Sequence, residues 1–441
     1  MKKAILTTVA AATLLSGGYT AHLPKADAGA GVSYSSKNLS AAVTNAASAA
    51  NVKFKDVPAS HWAYAAIMSA VSSGYLKGYA DGTFKPAAQI TKAEMAAILG
   101  RLSDQPVVDP DNKAYFSDIP AWAKEGVEAA VQKGFIDPSK YNGKLRANEP
   151  LTRGELAVWL AQGLGAMNPD YKTALSDVTN TVVPAKEYFT GKLPAAQKNS
   201  VAVAMGTGLM SVADDKTFGL DRTTTRAEAA TLIARYLQVA KKQPSEFQGL
   251  EELRAVGLTG TNIKVIAPSY TKMSERGISQ SGWDPKRVTD DFSLIRNQDL
   301  VTKTGYASVE VNNWIIVNPY VQGSSRSIYY PVFLDEGDKL LHGSYYSFVD
   351  VSLSMNKPIG MTAAGNLINS PTFDFSSSPR SKAFQDYAAP TMYTQLKGFP
   401  ETFSTLTPRY WAEGMLHFDD DLDPVVYIRT KSGLIFYIVN Y

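Results

Sequence analysis

Three five-residue stretches hold the most suggestive chemistry in this sequence: ITKAE at 90–94, LTRGE at 151–155 and TTRAE at 224–228. Thr91 with Glu94, Thr152 with Glu155 and Thr225 with Glu228 repeat the Thr-x-x-Glu capping box. In that motif the hydroxyl accepts from the N3 amide and the carboxylate accepts from the cap amide. Capping accounts for the Thr and the Glu but not for the base between them. Lys92, Arg153 and Arg226 fall in the first helical turn, where a cation opposes the positive end of the helix dipole by up to about 1 kcal/mol. A ligand anion gives a reason for a base there, because backbone amides at a helix start plus a base make a carboxylate or phosphate site. The three bases are therefore expected to be binding groups and the Thr and Glu to be structural.

The elements that position these pentads recur with them. Asp-Gly-Thr-Phe at 81–84, Asn142-Gly143-Lys144-Leu145 and Asp215-Lys216-Thr217-Phe218 each begin ten residues before the recurring Thr. Gly74, Gly134 and Gly208 stand ahead of those turns, and Asp56, Asp118 and Asp177 open the units in FKDVP, FSDIP and LSDVT. Trp62 and Trp122 lie twelve residues before the glycine in the first two units. SHWAYAAIMSAVSSG has apolar residues at helical spacing, with Ser60 placed to cap the start and Gly74 to end it. Each unit thus reads as helix, turn, helix, with the pentad opening the second helix.

The stretch FKDVPASHWAYAAIMSAVSSGYLKGYADGTFKPAAQITKAEMAAIL closely resembles a surface-layer homology (SLH) module, and the two later units are similar to further copies. The resemblance spans about 190 of 441 residues. It implies an α-rich three-fold spindle of helix-loop-helix repeats whose grooves bind pyruvylated secondary cell-wall polysaccharide. It points to Arg153, Arg226 and Lys92 as partners of the pyruvyl carboxylate. Trp62 and Trp122 would line grooves or pack in the core, and Asp56, Asp118 and Asp177 would hold sugar hydroxyls or cap the opening turn. The chain departs from the family pattern in three places. Lys92 replaces the favoured Arg and loses its bidentate fork, Gly154 stands where the family has Ala, and the third unit lacks the Trp and inserts roughly residues 179 to 200. One groove is expected to be remodelled or silent.

The rest of the chain bounds these readings. Residues 1–28 read as a secretory signal: Lys2 and Lys3, an apolar run from Ala4 to Leu15, then Ala26-Asp27-Ala28 as a cleavage site. No later apolar run is long enough to span a bilayer, so a wall-held protein of a Gram-positive surface is expected. The chain has no cysteine and four histidines, which gives no thiolate or His-rich metal site, and nothing in it asks for a cofactor. A formal net charge of +3 gives no field for nucleic acid. The expected layout is an Ala/Ser-rich linker at 29–50, repeats at 51–103, 114–165 and 173–240, a linker at 241–259, and a C-terminal domain at 260–441.

From about residue 260 the texture changes to runs rich in Val, Ile, Tyr and Phe, such as ASVEVNNWIIVNPYV, SIYYPVFL, YYSFVDVSLSM, RYWAEGMLHF and GLIFYIVNY. These predict an all-β, sandwich-like domain, faintly similar to immunoglobulin-like extracellular modules of the telokin type. Alternation in YSFVDVSLSM sets Phe348, Asp350, Ser352 and Ser354 opposite Val349, Val351, Leu353 and Met355, and each of the pairs Tyr329-Tyr330 and Tyr345-Tyr346 should turn one ring outward. Asp419, Asp420, Asp421 and Asp423 could reach a calcium ion or form a solvated turn. Two rival functions stay open for this part: a glycan hydrolase, with Glu310, Glu336, Glu413 and Asp419 as available acids, and a lattice-forming structural region.

Overall fold

The computed structural model describes residues 53–102, 115–272, 282–303, 305, 307–321, 323–338, 344–355, 367, 371–373, 379, 381–391, 394, 409–417 and 425–440. The signal at 1–28, the linker at 29–50 and the acidic run at 419–423 lie outside them.

The helical part is three two-helix units. The first has α1 (Tyr64–Ser72) and α2 (Lys92–Leu102), the second α3 (Lys124–Gln132) and α4 (Arg153–Met167). After α5 (Pro169–Asp177) and the one-turn α6 (Lys186–Phe189), the third unit has α7 (Ala195–Gly206) and α8 (Arg226–Val239). Helix α1 begins at Tyr64, later than Ser60 could cap, and no side chain caps it; just ahead of it the His61 Nδ1 accepts from the Ala63 amide at 3.1 Å. The first helix of each unit ends at a glycine with positive φ, +74° at Gly74, +76° at Gly134 and +68° at Gly208, a conformation that costs a Cβ-bearing residue energy.

The units close on one another in a ring. Helix α1 packs against α8, α3 against α2, and α7 against α4, so each first helix leans on the second helix of another unit. At the centre the residues opening the pentads pair through their backbones: Ile90 N–H to Thr224 O at 2.9 Å, Thr224 N–H to Leu151 O at 2.8 Å, and Leu151 N–H to Ile90 O at 2.9 Å. All three side chains are fully buried. The Thr224 hydroxyl has no hydrogen-bond partner there, since its counterparts in the ring are Ile and Leu.

Residues 241–259, expected as a linker, instead form mostly helix. Helix α9 (Gln248–Thr259) packs Leu250, Leu253 and Val256 into the core beside α7. Its apolar positions at helical spacing outweigh the turn-like KKQPSEFQG ahead of it.

Beyond the one-turn α10 (Ile263–Ile266) lie two sheets. Strands β3 (Ala307–Val317), β4 (Ser344–Met355) and β5 (Arg409–His417) pair antiparallel in that order. In the second sheet β7 (Ile435–Val439) pairs antiparallel with β6 (Val425–Arg429) and β1 (Thr271–Lys272) and parallel with β2 (Val288–Thr289). Short helices α11 (Tyr330–Phe333) and α12 (Lys382–Asp386) accompany them, so this part is β-rich but not all-β. SIYYPVFL, expected as a strand, supplies α11, and both Tyr329 and Tyr330 are buried.

The β3-β4-β5 sheet is covered on both faces. Ile315, Val317, Phe348 and Trp411 join the helical units in one continuous core, while Trp314, Ile316, Val349 and Val351 face Val426, Ile428, Phe436 and Ile438 of the second sheet. Double burial explains why WIIV reads as an unbroken apolar run. It also turns Asp350 inward, where Arg409 meets it with two bonds of 2.8 and 2.6 Å and Asn313 Nδ2 donates at 2.7 Å. The helical part and the β-rich part are further tied by Tyr329, whose hydroxyl donates to Val182 O at 2.9 Å, and by Phe189 packed on Tyr387 and Trp411.

Candidate functional site: pentads and the groove beside Trp62

Each pentad opens a second helix: α2, α4 and α8. The Thr hydroxyl accepts from the Glu amide in all three, at 3.2, 3.3 and 3.2 Å for Thr91, Thr152 and Thr225. The Glu94 and Glu228 carboxylates return to the cap amides at 2.9 Å each. Glu155 does otherwise, accepting from the Tyr141 hydroxyl at 2.9 Å and pairing with Lys92 at 3.1 Å.

The next two amides of each helix are also occupied. Lys92 and Ala93 donate to Glu149 O and Ala147 O, Arg153 and Gly154 to Arg222 O and Leu220 O, and Arg226 and Ala227 to Ala88 O and Pro86 O, all between 2.8 and 3.0 Å. Helix starts normally leave such groups free for an anion. Here another unit's backbone takes them, so the amide half of the expected anion site is absent.

The bases follow the same ring. Arg153 is 3% exposed; its Nε donates to Phe218 O at 3.0 Å and its Nη2 to Ser211 O at 2.9 Å. Arg226 is 4% exposed, donates from Nε to Phe84 O at 3.0 Å and from Nη2 to Lys77 O at 2.6 Å, and lies over the Phe84 ring at 4.7 Å. Lys92 pairs with Glu149 at 3.6 Å as well as with Glu155. Each base thus reaches into another unit: first to second, second to third, third to first. A guanidinium fork suits two carbonyls of one turn, which explains why two of the three are Arg.

The opening acids cap the turn that each Arg or Lys approaches. Asp56 accepts from the Phe84 and Lys85 amides at 2.8 Å each, and Asp118 from Leu145, Arg146 and Ala147 at 2.9, 2.7 and 3.2 Å. Burial alone would raise both carboxyls, but these donated amides hold them below the ordinary aspartate value. Asp177 is elsewhere: it ends α5 and binds Arg254 at 2.9 Å. Its place is taken by Glu187, which accepts from Phe218 and Gly219 at 2.9 Å each. The spacing carried that signal: the acid lies 28 residues before Phe84, 27 before Leu145 and 31 before Phe218 when Glu187 is chosen.

The two tryptophans differ: Trp62 packs against the helical core and Trp122 does not. Trp62 is half-buried and Trp122 is 65% exposed. Trp62 stacks with His61, centroids 5.7 Å apart, along a groove of about 220 Å³ lined by His61, Trp62, Pro86 and Ala87 of the first unit and Thr225, Ala227 and Glu228 of the third. Burial pushes the His61 imidazole down, with Asp56 pulling the other way, so the groove presents a neutral ring near pH 7. At its edge Arg222, with 42% of its side chain exposed, pairs with Glu228 at 2.7 Å. His61 belongs to the HWA stretch that carries the family resemblance but is not among the site residues expected from the sequence, and neither is Arg222, which lies outside the recurring pentad.

The corresponding place in the third unit differs. An added methyl on Gly154 would come 2.8 Å from Gln197 Oε1 and 3.1 Å from Leu220 O. Gly154 thus makes room for Gln197, whose Oε1 is buried without a hydrogen-bond partner.

The acids that could serve a hydrolase do not converge. Glu310 on β3 pairs in register with Ser352, and Glu413 on β5 with Phe348, which places them roughly 16 Å apart by strand spacing. A glycosidase pair needs about 5 to 10 Å. Glu336 is bound to Arg326 at 2.6 Å, and Asp419 lies outside the described residues. Among the described residues no helix is long and apolar enough to cross a membrane.

Residues 53–96 and 115–157 match the S-layer homology domain. The chain is 26% identical over 274 residues to the S-layer protein sap of Bacillus anthracis, covering 62% of this chain and 31% of that protein. It is 39% identical over 111 residues to the surface-layer 125 kDa protein of Lysinibacillus sphaericus, 24% of this chain and 9% of that one. It is 35% identical over 108 residues to a cellulosome-anchoring protein of Acetivibrio thermocellus, 23% of each. The chain therefore spans about a third or less of the length of these relatives.

Proposed function

We propose that this surface-layer homology protein is a noncovalent cell-wall anchor on a Gram-positive surface, and that it holds an acidic, pyruvylated wall polysaccharide in the groove beside Trp62. The groove itself carries the reading: an aromatic face, two polar pentad groups and a reachable cation meet there. Trp62 would take the apolar side of a sugar ring, Glu228 and Thr225 its hydroxyls, and Arg222 the carboxylate. Arg153, Arg226 and Lys92 support the site by locking the turns and helix starts around it, since they are buried, whereas Arg222 keeps 42% of its side chain exposed beyond its pair with Glu228. Trp122 offers a second such surface, and Gln197 fills the place where a third would lie.

In this reading the ring of pentads is the axis of a three-fold spindle, residues 173–240 are a third repeat, and the two sheets form a sandwich-like module displayed beside the anchor. The S-layer and cellulosome-anchoring relatives support an anchoring role for the helical part. The wide separation of Glu310 and Glu413 on the sheet, and the Arg326 partner of Glu336, favour a non-catalytic module. The full chain should sediment with Gram-positive walls and lose this when the polysaccharide is stripped with acid. Trp62→Ala and Arg222→Gln should each weaken sedimentation without lowering the melting temperature by more than about 2 °C. Equal sedimentation with stripped walls would refute the glycan assignment.

A further inference from the structure

A second aromatic surface lies in the β-rich part, far along the chain from the groove. Trp283, from the loop ahead of β2, stacks on Tyr427 of β6 with centroids 5.2 Å and planes 21° apart, and meets Tyr437 of β7 edge-on at 5.2 Å. Tyr427 and Tyr437 are cross-strand partners whose rings lie 6.2 Å apart. Strand β6 sends Val426 and Ile428 into the core and turns Tyr427 and Arg429 outward, Tyr427 being 39% exposed.

Charge collects at the turn end of the same hairpin. Arg429 is exposed and makes no ion pair among the described residues. Arg287 is exposed too, and its Nη1 donates to Ser432 O in the turn at 3.1 Å. The nearby Asp284 is turned to its own backbone, accepting from the Lys286 amide at 3.0 Å. Two guanidinium groups, one two residues along β6 from Tyr427 and one bonded to the hairpin turn, thus sit on the same hairpin as the rings, with no described carboxylate paired to either.

On this face Tyr427 is exposed and Trp283 and Tyr437 are half-buried against it, and an exposed ring carries an energetic cost unless something covers it. The combination is specific: flat apolar faces for the C–H side of a pyranose, and forked donors for a carboxylate or phosphate. We propose that this face binds an acidic polysaccharide, with a sugar ring laid on the Trp283 and Tyr427 rings and its anionic group held by Arg429 and Arg287. Charge complementarity favours this over a neutral glycan. The proposal does not depend on the Trp62 groove.

The test uses the full chain in native gels containing carboxymethylcellulose, or hydroxyethylcellulose as its uncharged counterpart. Carboxymethylcellulose should retard the wild type, with affinity at least fivefold above that for hydroxyethylcellulose. Trp283→Ala and Tyr427→Ala should abolish retardation in both gels, and Arg429→Gln should remove the preference for the charged polymer. Lys124→Gln, an exposed base elsewhere, should change nothing. Arg429 lies outside both cores, so its variant decides the matter even if Trp283→Ala lowers the melting temperature. No retardation by either polymer, equal retardation by both, or an equal effect of Lys124→Gln and Arg429→Gln would overturn the proposal. So would a wild-type dimer that Trp283→Ala converts to monomer without any polymer binding, since the face would then serve a second copy of the chain.

Discussion

Replacing Arg226 with methionine keeps most of the stem volume and removes the guanidinium that joins the third helical unit to the first. Two charge-assisted bonds disappear, to Phe84 O at 3.0 Å and Lys77 O at 2.6 Å, together with the stacking over Phe84. Bonds from a charged donor contribute about 1.5 to 3 kcal/mol each, and the site is nearly closed to water, so rehydration recovers little. The longer contact to Glu94 at 3.7 Å adds less because that carboxylate is already held in its capping box. The expected loss is about 3 to 5 kcal/mol of stability, read from urea denaturation of the full chain followed by circular dichroism. Arg226→Lys should fall between, since an ammonium cannot satisfy both carbonyls. Arg222→Met is the counter-experiment: its single half-exposed ion pair contributes at most about 1 kcal/mol, yet wall binding should drop. If Arg226→Met costs less than about 1 kcal/mol while wall sedimentation is lost, the base is a ligand group and the structural role assigned to it is wrong.

Three other outcomes follow from buried groups. Glu252 is fully buried, and burial pushes its carboxyl up to about 7 from an ordinary 4.5, despite bonds from Ser327, Asn262, the Ile328 amide and Gln248. The folded state therefore favours the protonated acid, and stability present below pH 4.5 is lost as pH rises through 7, by about 3 kcal/mol; Glu252→Gln should gain on the wild type between pH 5 and pH 8, and a constant difference between the two would refute this. Thr224→Val removes a buried hydroxyl without a hydrogen-bond partner at the centre of the ring, so the melting temperature should rise, corresponding to about 1 kcal/mol, whereas a fall would mean that the hydroxyl has a partner. Glu187→Ala should speed hydrogen exchange at the Phe218 and Gly219 amides and Asp177→Ala should not; the reverse order would restore Asp177 to the turn.

Much of the helical part was legible in the chain because its signals are local. A capping box, a glycine after the last helical turn and an Asp-Gly-Thr-Phe turn each act within a few residues, and their recurrence revealed the units. The role of the bases was not legible. Arg153 and Arg226 reach carbonyls 58 to 149 residues away, and only the closed ring brings those carbonyls to them. Asp177 was placed wrongly for the same kind of reason: in the third unit the inserted segment moves the functional acid to Glu187. The β-rich part was read as strands with one wet face, but contact with the helical core dried that face, buried Tyr329 and Tyr330, and made Asp350 an interior charge held by Arg409.

The sequence by itself determined the repeated helix-turn-helix units, the caps that start the second helices and the strand-forming character of the C-terminal part, because each depends on residues close together in the chain. Only the tertiary structure decided which charges remain within reach of a ligand. Pairing between units buries the helix-start amides and the pentad bases, while Arg222, paired with Glu228, stays half-exposed and Arg429 stays exposed two residues from Tyr427, and whether a cation is buried depends on residues that the chain order keeps far apart.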